Sequence, residues 1–529
     1  MNAVLYNGPI YPQTPIRIRS RSVALSGARI LELSPDKNAL LNKYPRYRHI
    51  DLKGRAVLPG FTDSHAHFYF WVISLGLVHL EETTSIAEAL EKIRKYRKGL
   101  AESDWIIGDG WSFLNWREKR RPTAEELDRV TGPHPAAMFS KDQHMLWVNS
   151  RALEMAGIDK NTPDPVGGAI ERDPHTRKPS GVLCEVPGYF PVIKLISGSE
   201  KKQFTTAWKK ASRIAYSRGV IGFHSFDGTD GWKAFEGLHK DNRLGFRVTY
   251  YFPASMLNEV ISQGIYTGQG DETLRVGGIK IFADGSLGAQ TALMKKPYPG
   301  GKNCGVRVTK LSEMCRVINR ANKNNLACAV HAIGDRAVAD IITAYEKTGN
   351  KQLRNRIEHL QNIEPKDIKR LKNLNVIASM QPSHCPADRA LIARFWGSRG
   401  RNAYVFRTLL KNNIPLAFGS DCPIEPLDPL AGIHAAVNRN AGGDRGHKFY
   451  PQEAISVRQA VYGFTVGAAY SCGREDFASD IKPGYQADLV VLEDDIHAGP
   501  PSQIYRTEVA ATIFNGRIVY RNHSSRLKI

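Results

Sequence analysis

At 529 residues the chain is several times longer than an ordinary single domain, so we expect it to bury a large core and to divide into at least two structural units. Its 42% hydrophobic and 24% charged residues are typical of a globular protein and exclude a disulfide-stapled miniprotein, a fibrous repeat and wholesale disorder. Lys and Arg number 73 against 52 Asp and Glu, which gives a formal charge of +21.

The basic residues are scattered along the chain, without a long basic arm or an aromatic recognition motif beside them. We therefore expect no dedicated nucleic-acid module, and binding of nucleic acid is kept only as an alternative. Seven widely spaced cysteines without a C-x-x-C pair favour a reducing, cytoplasmic location. The sequence contains neither a signal peptide nor the roughly 18 apolar residues that span a bilayer, so no membrane partner is expected.

Both ends of the chain have sequence patterns typical of short β-strands. Near the N-terminus, strands are predicted at 4–6, 16–18, 22–25 and 30–33. Near the C-terminus they are predicted at 487–492, 509–514 and 518–520, the last two joined by the turn-forming pair Asn515-Gly516. Because two-stranded pieces are marginally stable alone, the two ends are expected to combine into one β-domain, 1–57 with 474–529.

Between them, from 58 to 473, apolar strands alternate with helix-length segments, which is typical of a (β/α)₈ barrel. Eight strands are predicted, at 56–62, 219–226, 245–252, 277–282, 326–331, 356–360, 376–381 and 415–420. About 150 residues separate the first from the second, far more than an ordinary crossover. Residues 70–218 are therefore interpreted as an inserted subdomain, with a hairpin near 167–182, that forms a lid or a substrate wall.

Potential metal ligands recur where the predicted strands end. His65 and His67 are two residues apart after the first strand, and a spacing of two in an extended segment places both imidazoles on one face. Four more candidates lie at or near later strand ends: Lys280, His331, His359 and Asp421. Imidazole and carboxylate suit zinc and related divalent ions, and a barrel collects such strand ends around one axis.

Seven segments, in their order along the chain, carry a resemblance to a known family: VLPGFTDSHAHF, DQHMLWVNSRAL, KIFADGSLGAQTA, HAIGDRAV, RIEHLQ, GSDCPIEPLDP and IKPGYQADLVVLEDD. They resemble the amidohydrolase superfamily and, within it, the YtcJ-like metal-dependent hydrolases of amidohydrolase family 3, which are related to N-substituted formamide deformylases. The resemblance implies a distorted TIM barrel, a β-sandwich formed from both termini and a large insertion after the first barrel strand.

The resemblance also implies roles for the six candidate ligands. His65, His67 and Asp421 would bind the more buried metal ion, His331 and His359 the second, and Lys280 would bridge the two as a carbamate. The alternative for Lys280 is an ordinary ammonium, which would leave one ion or a differently coordinated pair. Zinc is the expected metal, as one or two ions, with iron or manganese as alternatives.

A divalent ion lowers the pKa of bound water and polarises a carbonyl, so the expected reaction is hydrolysis. The resemblance implies that the bond cleaved is a C–N bond in a small amide or formamide-like substrate. Asp421 is the expected general base, with pure metal ligation as its alternative. His144 matches a pocket histidine of the family, and Trp111 is a candidate aromatic wall, although structural roles are alternatives for both.

Two other functions remain open from the sequence, besides the binding of nucleic acid. A related hydrolase of cyclic amides, carbamates or esters would share the metal site and differ in the insertion. A non-catalytic regulatory protein could retain the barrel, and the assembly could be a homodimer.

Overall fold

The computed structural model describes residues 1–14, 20–101, 104–113, 115–140, 145–165, 168–196, 200–288, 290–444, 446 and 448–527. The chain forms two compact units: Met1–Phe70 with Ser212–Ile529, and Trp71–Ala211. The predicted strand at 16–18 lies outside the described residues. No helix in the described ranges is both long and apolar enough to cross a membrane.

Strands from both chain ends share one eight-stranded sheet in the first unit. Its strands run in the order Arg517–Arg521, Val509–Phe514, Leu489–Leu492, Ala56–Pro59, Ala3–Ile10, Ser20–Ser26 and Arg29–Ser34, with Arg48–Asp51 paired alongside Ala3–Ile10. Alternate positions of these strands carry apolar side chains, and they pack into a single cluster that includes Leu5, Val23 and Leu489. The short terminal strands are thus stabilised by each other.

The same unit contains an eight-stranded parallel sheet whose strands follow one another in chain order, the arrangement of a TIM-like barrel. They are Phe61–Ala66, Val220–Ser225, Arg247–Pro253, Leu274–Phe282, Cys328–Ala332, Arg356–His359, Ile377–Met380 and Leu416–Phe418. Between the last and first strands, the Asp421 N–H donates to the His65 carbonyl at 2.7 Å and the His67 N–H to the Cys422 carbonyl at 2.8 Å. These bonds join the two ends at the carboxyl edge of the strands.

Helices follow the barrel strands and bury their apolar faces. They are Phe68–Ser74, Gly228–Lys240, Leu257–Ser262, Leu311–Lys323, Asp335–Thr348, Pro365–Leu371, His384–Ala387, Arg389–Phe395, Phe406–Lys411, Pro429–Asn438, Val457–Gly463 and Val466–Tyr470, and Ala39–Lys43 lies in the N-terminal segment. In Asp335–Thr348, buried Val338, Ile341 and Tyr345 recur at helical spacing. The 3₁₀ segments in the described residues are Ala254–Met256, Gly397–Asn402, Pro451–Glu453 and Pro501–Arg506.

The predicted first barrel strand, 56–62, is wrong in its extent, because this segment belongs to two different sheets. Ala56–Pro59 pairs with Leu489–Leu492 in the terminal sheet, whereas Phe61–Ala66 opens the barrel beside Val220–Ser225. The chain crosses at Gly60, where an added Cβ would lie 2.5 Å from Ile221 Cγ1. A residue with a side chain would collide with Ile221 at this position, so glycine is required. In the sequence, residues 56–62 form one continuous apolar run, which gives no sign that the chain passes from one sheet to the other.

The second unit, Trp71–Ala211, contains its own six-stranded sheet. Its strands run in the order Ala169–Arg172, Pro179–Cys184, Met145–Val148, Ala136–Ser140, Ile106–Trp111 and Val78–His79, and the first two form an antiparallel hairpin. The helices in this part of the chain are Ile86–Arg97, Ala124–Thr131, Ser150–Met155, Glu185–Ile196 and Glu200–Ser217. Two apolar clusters form its core.

Candidate metal centre

Barrel-strand ends bring His65, His67 and Asp421 together. His65 lies on the first strand, His67 directly after it, and Asp421 follows the last strand. Asp421 Oδ1 is 3.5 Å from His65 Nε2 and 3.5 Å from His67 Nε2. Two donors bound to one tetrahedral zinc ion at about 2.0–2.1 Å lie about 3.4 Å apart, so these separations suit a shared ion.

A second group of potential ligands consists of His359, His384 and Asp421, with one donor atom of each within 4.8 Å of the others. His359 ends the sixth barrel strand, and His384 begins a short helix after the seventh. Sequence reasoning missed His384. The signal available was its place four residues beyond the end of a barrel strand, in MQPSHC, because that edge carries the other candidates.

His331 lies next to this group but is not part of either set of three among the described residues. Its ring centroid is 4.5 Å from that of His359. Its Nε2 lies 3.1 Å from the Gly285 carbonyl oxygen and 3.6 Å from Asp284 Oδ1. With Nε2 donating to that carbonyl, Nδ1 carries the lone pair that could bind a metal.

Lys280 is buried on the fourth barrel strand. Its Nζ lies 4.4 Å from the ring centroid of Phe226 and 5.0 Å from that of Phe282. Burial lowers the pKa of the Lys280 ammonium, while the Glu358 and Asp421 carboxylates partly oppose the shift. An amine in such a site is more easily made neutral than one in water, which is the form needed to take up carbon dioxide.

Burial also keeps the candidate histidines neutral. It lowers the pKa of His67 to about 4, of His331 to about 3 and of His384 to about 4. His65 and His359 are shifted in the same direction by burial. Neutral imidazole is the form that binds a metal ion, so these side chains are available as ligands at pH 7.

Asp421 has a raised pKa, because burial penalises its charge, whereas nearby Lys280 favours the charged form. Its φ of +62° and the φ of +68° at His359 are in the left-handed region, which non-glycine residues seldom adopt. Such conformations cost about 1–3 kcal/mol each and persist only where surrounding structure holds them. Here Asp63 helps to hold the segment, since it accepts hydrogen bonds from the backbone of Ser420 and His65 at 3.0 Å.

A buried pair of charged side chains orients His65. The guanidinium of Arg356 donates to Glu358 from Nε at 2.7 Å and from Nη2 at 3.0 Å, and all three side chains are at most 1% exposed. Glu358 Oε2 is 2.6 Å from His65 Nδ1. Because a carboxylate that is paired with a guanidinium accepts, Nδ1 carries the proton and Nε2 presents its lone pair.

Sequence reasoning missed Arg356 and Glu358 as well. They alternate with Ile357 and His359 on one strand, so both point to the same face. The pattern RIEH contains that signal, but His65, the partner of Glu358, is 293 residues away.

The donors present fit a divalent ion. His65 Nε2, His359 Nδ1 and His384 Nε2 are buried and have no hydrogen-bond partner in the described part of the chain. A buried polar atom without a partner costs about 1–3 kcal/mol, so these atoms are placed for another partner. Imidazole nitrogen with carboxylate oxygen suits zinc and similar ions.

Of the two predicted substrate-contacting residues, Trp111 lies in the described part of the chain. The side chain of Trp111 is fully buried in the core of the second unit, and its role as a substrate wall stays a prediction. Its Nε1 donates to the Met138 carbonyl at 2.7 Å, and its ring stacks 5.7 Å from that of Trp116. Its large apolar surface is therefore used within the insertion core. His144 lies outside the described residues.

Comparison with known proteins agrees with this architecture. The Amidohydro_3 model, described as an amidohydrolase family, matches residues 48–520. Putative amidohydrolase YtcJ of Bacillus subtilis is 31% identical over 98% of this chain and 99% of its own. N-substituted formamide deformylase of Arthrobacter pascens is 25% identical over 96% of each chain.

Among solved structures, an uncharacterized metal-dependent hydrolase from Pyrococcus furiosus superposes with a TM-score of 0.79 at 29% identity, covering 94% of this chain and 100% of its own. The YtcJ-like resemblance of the seven segments is thereby confirmed. The chain belongs to the amidohydrolase family.

Proposed function

We propose that the protein is a metal-dependent hydrolase that cleaves a C–N bond outside peptides, in a small amide or formamide-like substrate. The observation that carries the proposal is the buried cluster in which Asp421 lies within ligand distance of two groups of histidines. The family supports hydrolysis. We infer a divalent ion, with zinc as the expected one, held by His65, His67 and Asp421 and, for a second ion, by His331, His359 and Lys280.

The ion, when bound, lowers the pKa of water and polarises the substrate carbonyl. Asp421 is the proposed general base: its carboxylate accepts the proton of the attacking water and returns it to the leaving nitrogen. Its position beside both histidine groups supports this role, because a base must lie within reach of the proton that it accepts. His65, oriented by Glu358, keeps its lone pair directed to the centre.

Lys280 is proposed to become a carbamate. Its neutral amine would attack carbon dioxide and release one proton, and the resulting anion would supply a further ligand to the centre. The lowered pKa of the buried ammonium supports the first step. The cations favour the product, because burying an uncompensated anion is costly.

The substrate class is inferred from relatives rather than from the fold. The name N-substituted formamide deformylase describes a C–N hydrolase that is 25% identical to this chain, which supports an amide or formamide. Cyclic amides, carbamates and esters are alternatives that the same centre could cleave, since the fold does not select among them. All seven cysteines are free thiols, which supports the proposed cytoplasmic location.

Metal analysis of the purified protein, coupled to a screen of N-substituted formamides, amides, cyclic amides and esters, tests the proposal. We expect stoichiometric divalent metal and hydrolysis that falls about 10²–10⁴-fold in Asp421→Asn, the range expected for loss of general acid–base catalysis. Metal-free protein whose activity survives in His65→Gln and His67→Gln would contradict it. Tight metal binding without hydrolysis of any substrate would favour the regulatory alternative.

A further inference from the structure

The carboxylate of Asp421 faces histidines on two sides. Its Oδ1 lies 3.5 Å from Nε2 of both His65 and His67, whereas its Oδ2 lies 3.8 Å from Nε2 of His384. Donors that share one tetrahedral ion lie about 3.4 Å apart, so each oxygen is spaced to share an ion with the imidazole it faces. The two oxygens of Asp421 thus face two candidate cation positions.

The ring of His384 is held with Nε2 directed at this place. Its side chain is 12% exposed, and it starts the helix His384–Ala387, whose first backbone N–H donates to the Gln381 carbonyl at 3.2 Å. Nε2 is buried without a hydrogen-bond partner in the described residues, so it is available to bind a cation.

His359 completes the group. Its ring is stacked on that of His384 with centroids 6.3 Å apart, and its Nδ1 is also buried without a partner in the part of the chain described. In contrast, Nε2 of neighbouring His331 is directed at the Gly285 carbonyl, 3.1 Å away. A further imidazole beside His359 and Asp421 therefore comes from the segment after the seventh barrel strand.

We propose that His384 is a metal ligand, which forms the second cation position with His359 and Asp421. This inference rests on the proposed function, because it assumes that the centre binds divalent ions. It adds a ligand from the seventh strand to the set that the family resemblance implies. In this role the side chain of His384 binds the metal ion and does not contact the substrate.

Zinc titration of the metal-stripped full chain, in competition with a chromophoric chelator, tests this assignment. We expect the wild type to take up two equivalents, and His384→Gln to bind one of them at least about 10–100-fold more weakly, because losses of that size follow when only a hydrogen-bond partner of a metal ligand is replaced. The other equivalent should be unchanged. The d–d absorption of the cobalt-loaded protein should change in the same variant, because the ligand field of one ion changes.

His434→Gln is the matched control. His434 is another buried imidazole whose Nε2 has no partner among the described residues, but it bonds to Asn438 and belongs to neither ligand group. It should bind zinc as the wild type does. Circular dichroism of all variants checks folding.

Unchanged zinc affinity and cobalt spectrum in His384→Gln would overturn the inference, even if hydrolysis is lost. If that variant fails to fold, diffraction from zinc-loaded wild-type crystals decides: a zinc–Nε2 distance of about 2.0–2.1 Å at His384 supports the proposal, and no anomalous peak within bonding distance overturns it. Wild-type protein that binds no zinc, cobalt or other divalent ion would instead overturn the proposed function itself.

Discussion

Replacing Glu358 by glutamine should weaken metal binding although Glu358 belongs to neither ligand group. The carboxylate accepts three hydrogen bonds, from His65 Nδ1 at 2.6 Å and from Arg356 at 2.7 and 3.0 Å. Glutamine has one acceptor oxygen. If that oxygen faces Arg356, the amide NH₂ faces His65 Nδ1, and the proton of the imidazole must move to Nε2, which then cannot bind a metal.

The expected loss in zinc affinity is about 10–100-fold, which corresponds to about 1.4–2.7 kcal/mol. The charge change has a second effect, because Arg356 is fully buried and would lose its counter-ion. Breaking such a buried pair costs about 3–5 kcal/mol, so the metal-free variant should also unfold at lower urea concentration.

Zinc affinity is measured by competition with a chromophoric chelator, at urea concentrations below the unfolding transition. This measurement separates the loss in zinc affinity from the loss in stability. Glu453→Gln is the control: Glu453 is buried and accepts hydrogen bonds from the Thr408 backbone and hydroxyl at 2.9 and 2.6 Å, without contact with a candidate ligand. It should lose stability and keep its zinc affinity. Wild-type affinity in Glu358→Gln, or an equal loss in Glu453→Gln, would refute the reasoning.

Three further outcomes are expected. Metal-loaded wild type supplied with ¹³C-bicarbonate should give a carbamate ¹³C NMR signal that is absent in Lys280→Met; a wild type without the signal would contradict the bridge. In metal-free protein, burial lowers the pKa of His384 from 6.5 in the unfolded state to about 4 in the folded state. Between these pH values the folded state binds fewer protons than the unfolded state, so the protein loses stability as the pH falls. Urea unfolding should show that His384→Gln avoids about 2 kcal/mol of this loss between pH 7 and pH 5; equal pH dependence in both proteins would count against it. In Gly419→Ala the new Cβ would lie 2.4 Å from the backbone nitrogen of His65. Urea unfolding should therefore show that the free energy of unfolding falls by about 1–3 kcal/mol, and zinc binding should weaken. The control Gly237→Ala, whose added Cβ meets no atom within 4 Å, should show neither effect.

The order and approximate positions of the barrel strands could be predicted from the sequence. Apolar runs alternating with helix-length segments predicted the parallel barrel, and all eight predicted strands overlap strands of the structure, although the first was divided at Gly60. That division depends on the close approach of Ile221, which is distant in sequence. A run of apolar residues predicts that a segment is buried, but it does not indicate which sheet the segment joins.

The sequence by itself determined the chemistry of the strand ends: His65 and His67 at a spacing of two, and Asp421 and His359 where other strands finish. Only the tertiary structure decided that His384 and Glu358 belong to the same centre, and that Trp111 belongs to a different core. The physical reason is that side-chain type and local periodicity are properties of short segments. Ligand separation, burial and the proton position on an imidazole are set by groups hundreds of residues apart, which only the closed barrel brings within hydrogen-bond distance.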